Sequence, residues 1–273
     1  MSLIERYEGF VFDLDGTVYM GDELLPGARE VLEAVRGADR RVVYVTNKPL
    51  EPSAAYAAKL TRLGLPTAGN EVVSSLDALV GYLTVRHRGA PVLCLSESLV
   101  SDTLQAAGFP IVSLDDAEQT AVVVVSFDRT FDYAKLHAAY RAVRSGAVLV
   151  ATNPDRYCPT PEGGLPDCAA MLAAVEACTG AEAEAVVGKP SPQMAAAVLA
   201  RIGLPGEKVL LVGDRAETDV TMASHAGMDA ALVLTGATTR QQAATADPAP
   251  TYLIDGIGDL LTLSSDQPRV PTR

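Results

Sequence analysis

The chain has 273 residues, of which 34 are acidic and 22 are basic, so its formal net charge is −12. This charge and the absence of any run of Lys or Arg argue against a nucleic-acid partner and disfavour an anionic membrane surface. No stretch reaches the ~18 apolar residues of a membrane helix, and the first ten residues lack the apolar core of a signal peptide. The four cysteines form no C-x-x-C pair. We therefore expect a cytoplasmic protein with reduced thiols.

Short apolar runs alternate along the chain with longer amphipathic stretches. The apolar runs predict strands that are buried on both faces of a parallel sheet, at residues 10–12, 42–45, 209–212 and 230–234. Helical periodicity predicts helices at residues 28–35, 53–63, 192–202 and 218–226. This alternation indicates an α/β fold with a doubly wound, Rossmann-like parallel sheet.

The middle of the chain has the same alternation on a smaller scale. It predicts strands at 92–95, 122–126 and 148–151 and helices at 132–143 and 169–178. The stretch 85–183 is long enough to be a smaller α/β domain of its own. Residues 1–84 and 184–273 are then expected to form one discontinuous domain around this insert.

The strongest chemical signal follows the first predicted strand: Asp13 comes directly after Phe12, and after Leu14 the chain continues with Asp15, Gly16 and Thr17. Ligands of open α/β sheets bind outside the carboxyl ends of the strands. Two carboxylates there can share a divalent cation and divide the work of attack and proton transfer. Taken alone, the motif is also compatible with an ordinary surface turn.

Three later segments add polar residues at further strand ends. Thr46 and Asn47 follow the second strand, Lys189 follows a short apolar run, and Asp214 and Asp219 follow the third strand. Each has an ordinary alternative: a helix cap for Thr46, a solvated charge for Lys189 and a turn for Asp214. Together, and in this order, they predict that Asp, Thr, Lys and Asp side chains converge at one edge of the sheet.

In order and spacing, these motifs resemble those of the haloacid dehalogenase superfamily of phosphatases. The resemblance implies that Asp13 is the nucleophile that becomes phosphorylated. It implies that Asp15 is the general acid for the leaving group and then the base for water. Thr46, with the amide of Asn47, would bind the transferring phosphoryl oxygens, and Lys189 would neutralise the nucleophile and the phosphate.

The resemblance also implies Mg²⁺ as the cofactor. Its protein ligands would be Asp13, the backbone carbonyl of Asp15, Asp214 and, through water or as a support, Asp219. Because Mg²⁺ prefers oxygen ligands and keeps several waters, such a set is sufficient.

The implied activity is hydrolysis of small phosphomonoesters through an aspartyl-phosphate intermediate, with sugar phosphates, nucleoside monophosphates and pyridoxal phosphate among the candidate substrates. Two alternatives stay open at this point. One is a phosphotransferase or mutase of the same superfamily, in which a sugar replaces water as the acceptor. The other is a binding module that has lost catalysis, against which the complete set of motif residues argues.

The stretch 85–183 lies where this superfamily inserts its larger α/β cap. Segments 126–136 and 151–155 resemble the NagD-like, para-nitrophenylphosphatase subfamily. The resemblance implies a cap that selects small phosphorylated metabolites, and it allows a homodimer formed through the cap.

Four further residues are candidates for substrate binding. Lys48, beside the predicted phosphate-binding turn, either attracts a second acidic group of the substrate or is an exposed loop lysine. Asp167 either bonds a substrate hydroxyl or amine or caps the helix that follows it. Asn153 and Asp155 are weaker candidates, because turn geometry alone explains an Asn-Pro-Asp sequence.

Overall fold

A computed structural model describes residues 2–160 and 163–264 of the chain. The chain divides into two compact units. The first unit takes the described residues of Met1–Thr46, Ser53–Val73 and Lys189–Arg273, and the second takes those of Asn47–Pro52 and Ser74–Gly188. Within the described ranges, every helix is too short or too polar to cross a lipid bilayer.

Helices and strands follow one another through the described residues. The first part contains α1 Leu3–Arg6, β1 Gly9–Asp13, β2 Tyr19–Met20, β3 Glu23–Leu24, α2 Ala28–Gly37, β4 Arg41–Thr46, α3 Ser53–Arg62, β5 Val72–Ser74 and α4 Ser75–Arg86. The middle part contains β6 Val92–Leu95, α5 Ser98–Ala106, β7 Val122–Val125, α6 Tyr133–Arg144, β8 Val148–Ala151, β9 Tyr157–Thr160, β10 Gly163–Pro166, α7 Cys168–Thr179 and β11 Ala183–Val186. The last part contains α8 Pro192–Ile202, β12 Val209–Gly213, α9 Thr221–His225, β13 Asp229–Val233, α10 Arg240–Ala243 and β14 Tyr252–Ile254.

The sheet of the first unit has the strand order β14-β13-β12-β1-β4-β5. Its neighbours from β14 to β4 run parallel. Every residue of β1 and of β12 is buried, as expected for strands that are covered on both faces. This arrangement confirms the predicted α/β fold with a parallel sheet.

Aromatic side chains form the centre of the first unit's core. The rings of Phe10 and Phe12 stack with centroids 6.0 Å apart, and Tyr44 of β4 lies 6.3 Å from Phe12. The buried face of α2 contributes Val31 and Val35 to the same cluster. Full burial of each such side chain stabilises the fold by roughly 1.5–3 kcal/mol, which holds β1 and β4 in a defined register.

The second unit has a four-stranded parallel sheet in the order β11-β8-β7-β6. Helices α6 and α7 pack on it, and their residues Ala138 and Leu172 share a core cluster with Val123 and Leu149 of the sheet. A separate antiparallel pair, β9 and β10, precedes α7. The predicted smaller α/β domain therefore has its own parallel sheet.

The boundaries of the second unit differ from the expected junctions at 84/85 and 183/184. Helix α4 belongs to this unit, as do the residues that lead up to Lys189. Tyr82 of α4 donates a hydrogen bond of 2.5 Å to Glu184 of β11, and the Nε2 atom of His87 lies 2.7 Å from the same oxygen. These long-range contacts tie α4 to β11, and no local sequence pattern reports them.

Candidate active site

Parallel pairing brings the ends of three strands of the first unit to one edge of its sheet. Asp13 lies opposite Val45 of β4, and Phe12 lies opposite Val212 of β12. Thr46 is therefore one residue beyond the partner of Asp13, and Asp214 comes two residues beyond Val212. The register thus places Asp13, Thr46 and Asp214 at the same edge, where the sequence analysis expects them.

Lys189 binds two carboxylates at this edge. Its Nζ atom lies 2.5 Å from Oδ1 of Asp13 and 2.7 Å from Oδ1 of Asp219, and the residue is only 3% exposed. Burial acts to lower the pKa of Lys189, but the charges of Asp13 and Asp219 outweigh it and raise that pKa above its ordinary value. The side chain is therefore a permanent cation beside the expected nucleophile.

Three buried carboxylates, those of Asp13, Asp214 and Asp219, form a compact cluster. Each contributes an oxygen atom that lies within 4.8 Å of the other two. Burial raises the pKa of Asp13 well above its ordinary value; Lys189 opposes this shift, and the charges of Asp219 and Asp214 add to it. Burial and the charge of Asp219 likewise raise the pKa of Asp214 to about 6.

This cluster fits a hard divalent cation. Three carboxylates and one ammonium group leave a formal charge of −2 in a buried space, and such a concentration of charge is costly without a counterion. Carboxylate oxygens are the ligands that Mg²⁺ and Ca²⁺ prefer. The side chain of Asp15 is not one of these three carboxylates.

The position of Asp214 depends on the close approach of Gly16. The amide of Ala237 donates a hydrogen bond of 2.6 Å to Oδ2 of Asp214. Gly16 has a φ of +84°, and a Cβ atom on it would lie 2.7 Å from the same Oδ2 atom. A glycine after Asp15 therefore serves both the turn and the space that the carboxylate needs.

Asp219 lies in a π-helical turn, Ala216–Val220, that precedes α9. The helical periodicity of the sequence predicts a regular helix from residue 218, and the structure differs in this first turn. The amide of Asp219 donates to the carbonyl of Arg215 at 2.8 Å, while its Oδ2 atom accepts from the amide of Arg215 at 3.0 Å. The wider turn leaves Oδ1 of Asp219 directed at Lys189. Such π-helical turns are frequent at functional sites.

Thr17 is a residue at this site for which the sequence motifs predict no role. It is fully buried, and its hydroxyl group donates a hydrogen bond of 3.3 Å to Oδ2 of Asp13. Lys189 and Thr17 thus hold the two oxygens of Asp13 from different sides. A hydroxyl residue four positions after the carboxylate, within the turn that leaves the strand, is the signal that points to it.

The second unit contains a polar cluster of its own, which comprises Asn47, Asn153, Asp155 and Asp167. The amide group of Asn47 donates to Oδ2 of Asp155 at 2.9 Å. The amide group of Asn153 lies 3.3 Å from the carbonyl of Asn47, 3.2 Å from Asp155 and 3.5 Å from Asp167. The structure therefore brings together four predicted substrate-binding residues that lie up to 120 positions apart.

Asp167 caps helix α7, which is one of the two roles predicted for it from the sequence. Its Oδ1 atom accepts a hydrogen bond of 2.6 Å from the amide of Cys168, the first residue of α7. Burial raises the pKa of Asp167 to about 6; the Cys168 amide opposes this shift, Asp155 adds to it, and the charge of Lys48 acts against it. Lys48 is half-buried, so a fully exposed loop lysine does not describe it.

The backbone of Gly188 packs directly against the polar cluster. A Cβ atom at this position would lie 2.5 Å from the carbonyl oxygen of Thr152 and 2.7 Å from Oδ1 of Asn47. Only glycine allows this approach of the backbone, and Gly188 is bonded directly to Lys189 in the chain.

Comparison with known proteins places the chain in a family. Residues 10–110 match the model of haloacid dehalogenase-like hydrolases, and residues 186–260 match a second, HAD-hydrolase-like model. The sugar-phosphatase AraL of Bacillus subtilis is 34% identical over 258 residues, which cover 94% of this chain and 93% of that protein.

Two solved structures are similar over nearly the whole chain. The 4-nitrophenylphosphatase of Thermotoga maritima matches with a TM-score of 0.89 and 32% identity, covering 96% of this chain and 99% of that one. The glycerol phosphate phosphatase of Mycobacterium tuberculosis, in complex with magnesium, matches with a TM-score of 0.87 and 32% identity, covering 95% of this chain and 78% of that one. The chain therefore belongs to the haloacid dehalogenase-like hydrolases, as a phosphatase of the NagD-like, para-nitrophenylphosphatase subfamily.

Proposed function

We propose that this phosphatase hydrolyses phosphomonoesters of small metabolites, depends on Mg²⁺ and forms an aspartyl-phosphate on Asp13. The observation that carries the proposal is the placement of Asp13, whose Oδ1 atom lies 2.5 Å from the ammonium group of Lys189 within a cluster of three carboxylates. A fixed carboxylate beside a permanent cation is what an in-line attack on a phosphoryl group requires.

In the first step, a carboxylate oxygen of Asp13 attacks phosphorus and the bond between phosphorus and the ester oxygen breaks. Asp15 donates a proton to the leaving oxygen. Thr46 and the amide of Asn47 bind the phosphoryl oxygens, and Lys189 offsets the charge that develops on them. Thr17 keeps the carboxylate of Asp13 in one orientation through its hydrogen bond to Oδ2.

In the second step, Asp15 takes a proton from water, and the water oxygen attacks the phosphorus of the aspartyl-phosphate. The bond between Asp13 and phosphorus breaks, which releases inorganic phosphate and restores the carboxylate. Splitting one displacement into two lowers the barrier of each. Asp15 can serve as the acid in the first step and as the base in the second, because the leaving group and the water occupy the same side of the phosphoryl group.

The metal ligands that we assign are Asp13, Asp214, Asp219 and the backbone carbonyl of Asp15. When bound, Mg²⁺ supplies positive charge that offsets the repulsion between a phosphate dianion and the Asp13 carboxylate. Asp219 has a second task, because it also holds Lys189 through an ion pair of 2.7 Å.

For substrate choice, we assign the second unit and its polar cluster of Asn47, Asn153, Asp155 and Asp167. Its amide and carboxylate groups suit the hydroxyl groups of a small polyol or sugar phosphate, and Lys48 suits a second acidic group. Similarity to a sugar phosphatase and to a glycerol phosphate phosphatase supports this class. The protein is expected to act in the cytoplasm, and as a homodimer if the second units pair.

The test is phosphate release from para-nitrophenyl phosphate and from a panel of sugar, polyol and nucleoside monophosphates. We expect turnover in Mg²⁺, none in EDTA, and none for Asp13→Asn, which keeps the shape of the side chain. Rapid acid quench of the native enzyme during turnover, followed by peptide mass spectrometry, should find a phosphoryl group on Asp13. Turnover by Asp13→Asn at the native rate would refute the nucleophile assignment.

Added sugars decide between hydrolysis and transfer. If water is the acceptor, phosphate release from para-nitrophenyl phosphate matches nitrophenol release with or without glucose, xylose or glycerol. A shortfall of free phosphate, with a phosphorylated sugar in its place, would favour the phosphotransferase alternative.

A further inference from the structure

A surface cavity of about 280 Å³ lies in the first unit, at the end of the sheet away from the carboxylate cluster. Four arginines line it: Arg36, Arg40, Arg41 and Arg201. Arg41 is the first residue of β4 and Thr46 is the last, and a strand of this length spans roughly 17 Å. A small ligand in the cavity would therefore be out of reach of the catalytic residues.

The charges in this cavity are unevenly paired. Arg36 donates to both carboxylate oxygens of Glu71, at 3.1 and 3.2 Å, and Arg40 lies within electrostatic reach of Glu5. Within residues 2–160 and 163–264, neither Arg41 nor Arg201 forms an ion pair with an acidic side chain. In a chain with a net charge of −12, two such guanidinium groups on one cavity concentrate positive charge.

Both guanidinium groups are held in place by the backbone. The Nη1 atom of Arg41 donates to the carbonyls of Ile202 and Gly203, at 3.0 and 2.8 Å. The Nη1 atom of Arg201 donates to the carbonyls of Asn70 and Val72, at 2.7 and 3.3 Å.

A structural role of capping these carbonyls uses Nη1 alone. The Nε and Nη2 groups of Arg41 and Arg201 make no hydrogen bond to any residue that the structure describes. Each side chain is thus fixed at one nitrogen and retains donors at the others.

We infer that this cavity binds a small phosphate-bearing anion with two acidic groups, recognised by Arg41 and Arg201. Arginine suits this role because its planar fork binds phosphate oxygens in pairs and because it is weakly hydrated. Fixed guanidinium groups lose little side-chain entropy when a ligand binds. The volume lies at the lower limit for ligand pockets, so the ligand is a compact polyanion.

The test is isothermal titration of the full-length protein with pyrophosphate, in EDTA and without divalent metal. We expect one site with a dissociation constant below 1 mM, in line with a few charge-assisted bonds. The double variant Arg41→Gln/Arg201→Gln should weaken binding at least tenfold, and inorganic phosphate should bind more weakly than pyrophosphate.

Arg29→Gln is the matched control. Arg29 also caps two backbone carbonyls, with Nη1 donating to Gly64 at 2.8 Å and Nη2 donating to Leu63 at 2.9 Å, but it does not line the cavity. Its variant should bind pyrophosphate as the native protein does. Equal affinities of the native protein and the double variant would overturn the proposal, as would an absence of binding at 10 mM.

A labelling experiment on the native protein does not depend on how the variants fold. Phenylglyoxal modifies accessible arginines, and peptide mass spectrometry gives the extent at each one. Pyrophosphate should slow modification of Arg41 and Arg201 several-fold and leave Arg29 unchanged; equal rates with and without pyrophosphate would count against the site. Hydrolysis of para-nitrophenyl phosphate by the double variant should stay within twofold of native, which separates this site from the proposed activity.

Discussion

Asp13 is held at both carboxylate oxygens, by Lys189 on one side and by Thr17 on the other. The two contacts differ in kind. Lys189 supplies charge as well as position, whereas Thr17 supplies only a hydrogen bond of 3.3 Å. A conservative change at Thr17 therefore measures what orientation alone contributes to the reaction of Asp13.

Thr17→Val should lower kcat by roughly 10- to 150-fold and change KM little. Valine fills the same buried volume, so the loss is that of one hydrogen bond to a charged group, which contributes about 1.5–3 kcal/mol; one tenfold step corresponds to about 1.4 kcal/mol. Steady-state kinetics with para-nitrophenyl phosphate measure the effect. Thr17→Ser keeps the hydroxyl group and should retain most of the rate, so an equal loss in both variants would contradict this account.

Asp167 shows how burial alters a capping residue. It caps α7, yet it is only 4% exposed and lies near Asp155. Its pKa of about 6 in the folded protein exceeds the value of about 4 in an unfolded chain. The folded state therefore holds a proton that the unfolded state releases, and stability falls as pH rises through this window.

Asp167→Asn should stabilise the protein more at pH 8 than at pH 5, by about 1 kcal/mol from the size of this pKa shift. Asparagine keeps the cap but carries no charge at either pH. Urea unfolding at the two pH values measures the difference. Asp132→Asn, at the exposed cap of α6, is the control for the capping role, and a similar trend in both variants would rule out burial as the cause.

At the scale of elements, the segment before α8 and the turn after β8 approach each other closely. Gly188 lies against the carbonyl of Thr152 and the side chain of Asn47, with no room for a Cβ atom. The polar cluster of the second unit therefore depends on the position of this backbone as much as on its own side chains.

Gly188→Ala should destabilise the protein by about 1–3 kcal/mol, the usual cost of overpacking. It should also raise KM, because Asn47 must move. Gly81→Ala is the control, since Gly81 lies in α4 with open space around it, and alanine there should stabilise the helix by up to about 1 kcal/mol. Thermal unfolding compares the two; destabilisation by both, or by neither, would contradict the steric argument.

For the molecule as a whole, the buried carboxylates of the first unit make the stability of the fold depend on the binding of a metal cation. Three carboxylates share a small space with one lysine. Any cation that binds the folded state and not the unfolded chain raises the melting temperature by mass action. Protons compete for the same oxygens, because Asp214 has a pKa of about 6.

Mg²⁺ at 1 mM should raise the melting temperature at pH 8 by several degrees and have much less effect at pH 5, where Asp214 is largely protonated. Circular dichroism during heating, with EDTA as the reference, measures the shift. Asp214→Asn should abolish it. An equal Mg²⁺ effect in native protein and variant would place the metal elsewhere.

The sequence by itself determined the fold class, the family and the order of strand ends around the site. Alternating apolar runs and amphipathic stretches are local patterns, and parallel strands place their carboxyl ends at one edge wherever they pair. Asp13, Thr46, Lys189 and Asp214 could therefore be named from spacing and resemblance alone.

Only the tertiary structure decided which side chains touch. Lys189 reaches Asp13 across 176 positions of sequence, Asn47 meets Asp155, and Arg41 and Arg201 share a cavity. It also decided that α4 joins the second unit and that a π-turn presents Asp219. Such contacts depend on strand register and on packing between distant segments. No local pattern encodes them, because they form only when folding brings those segments together.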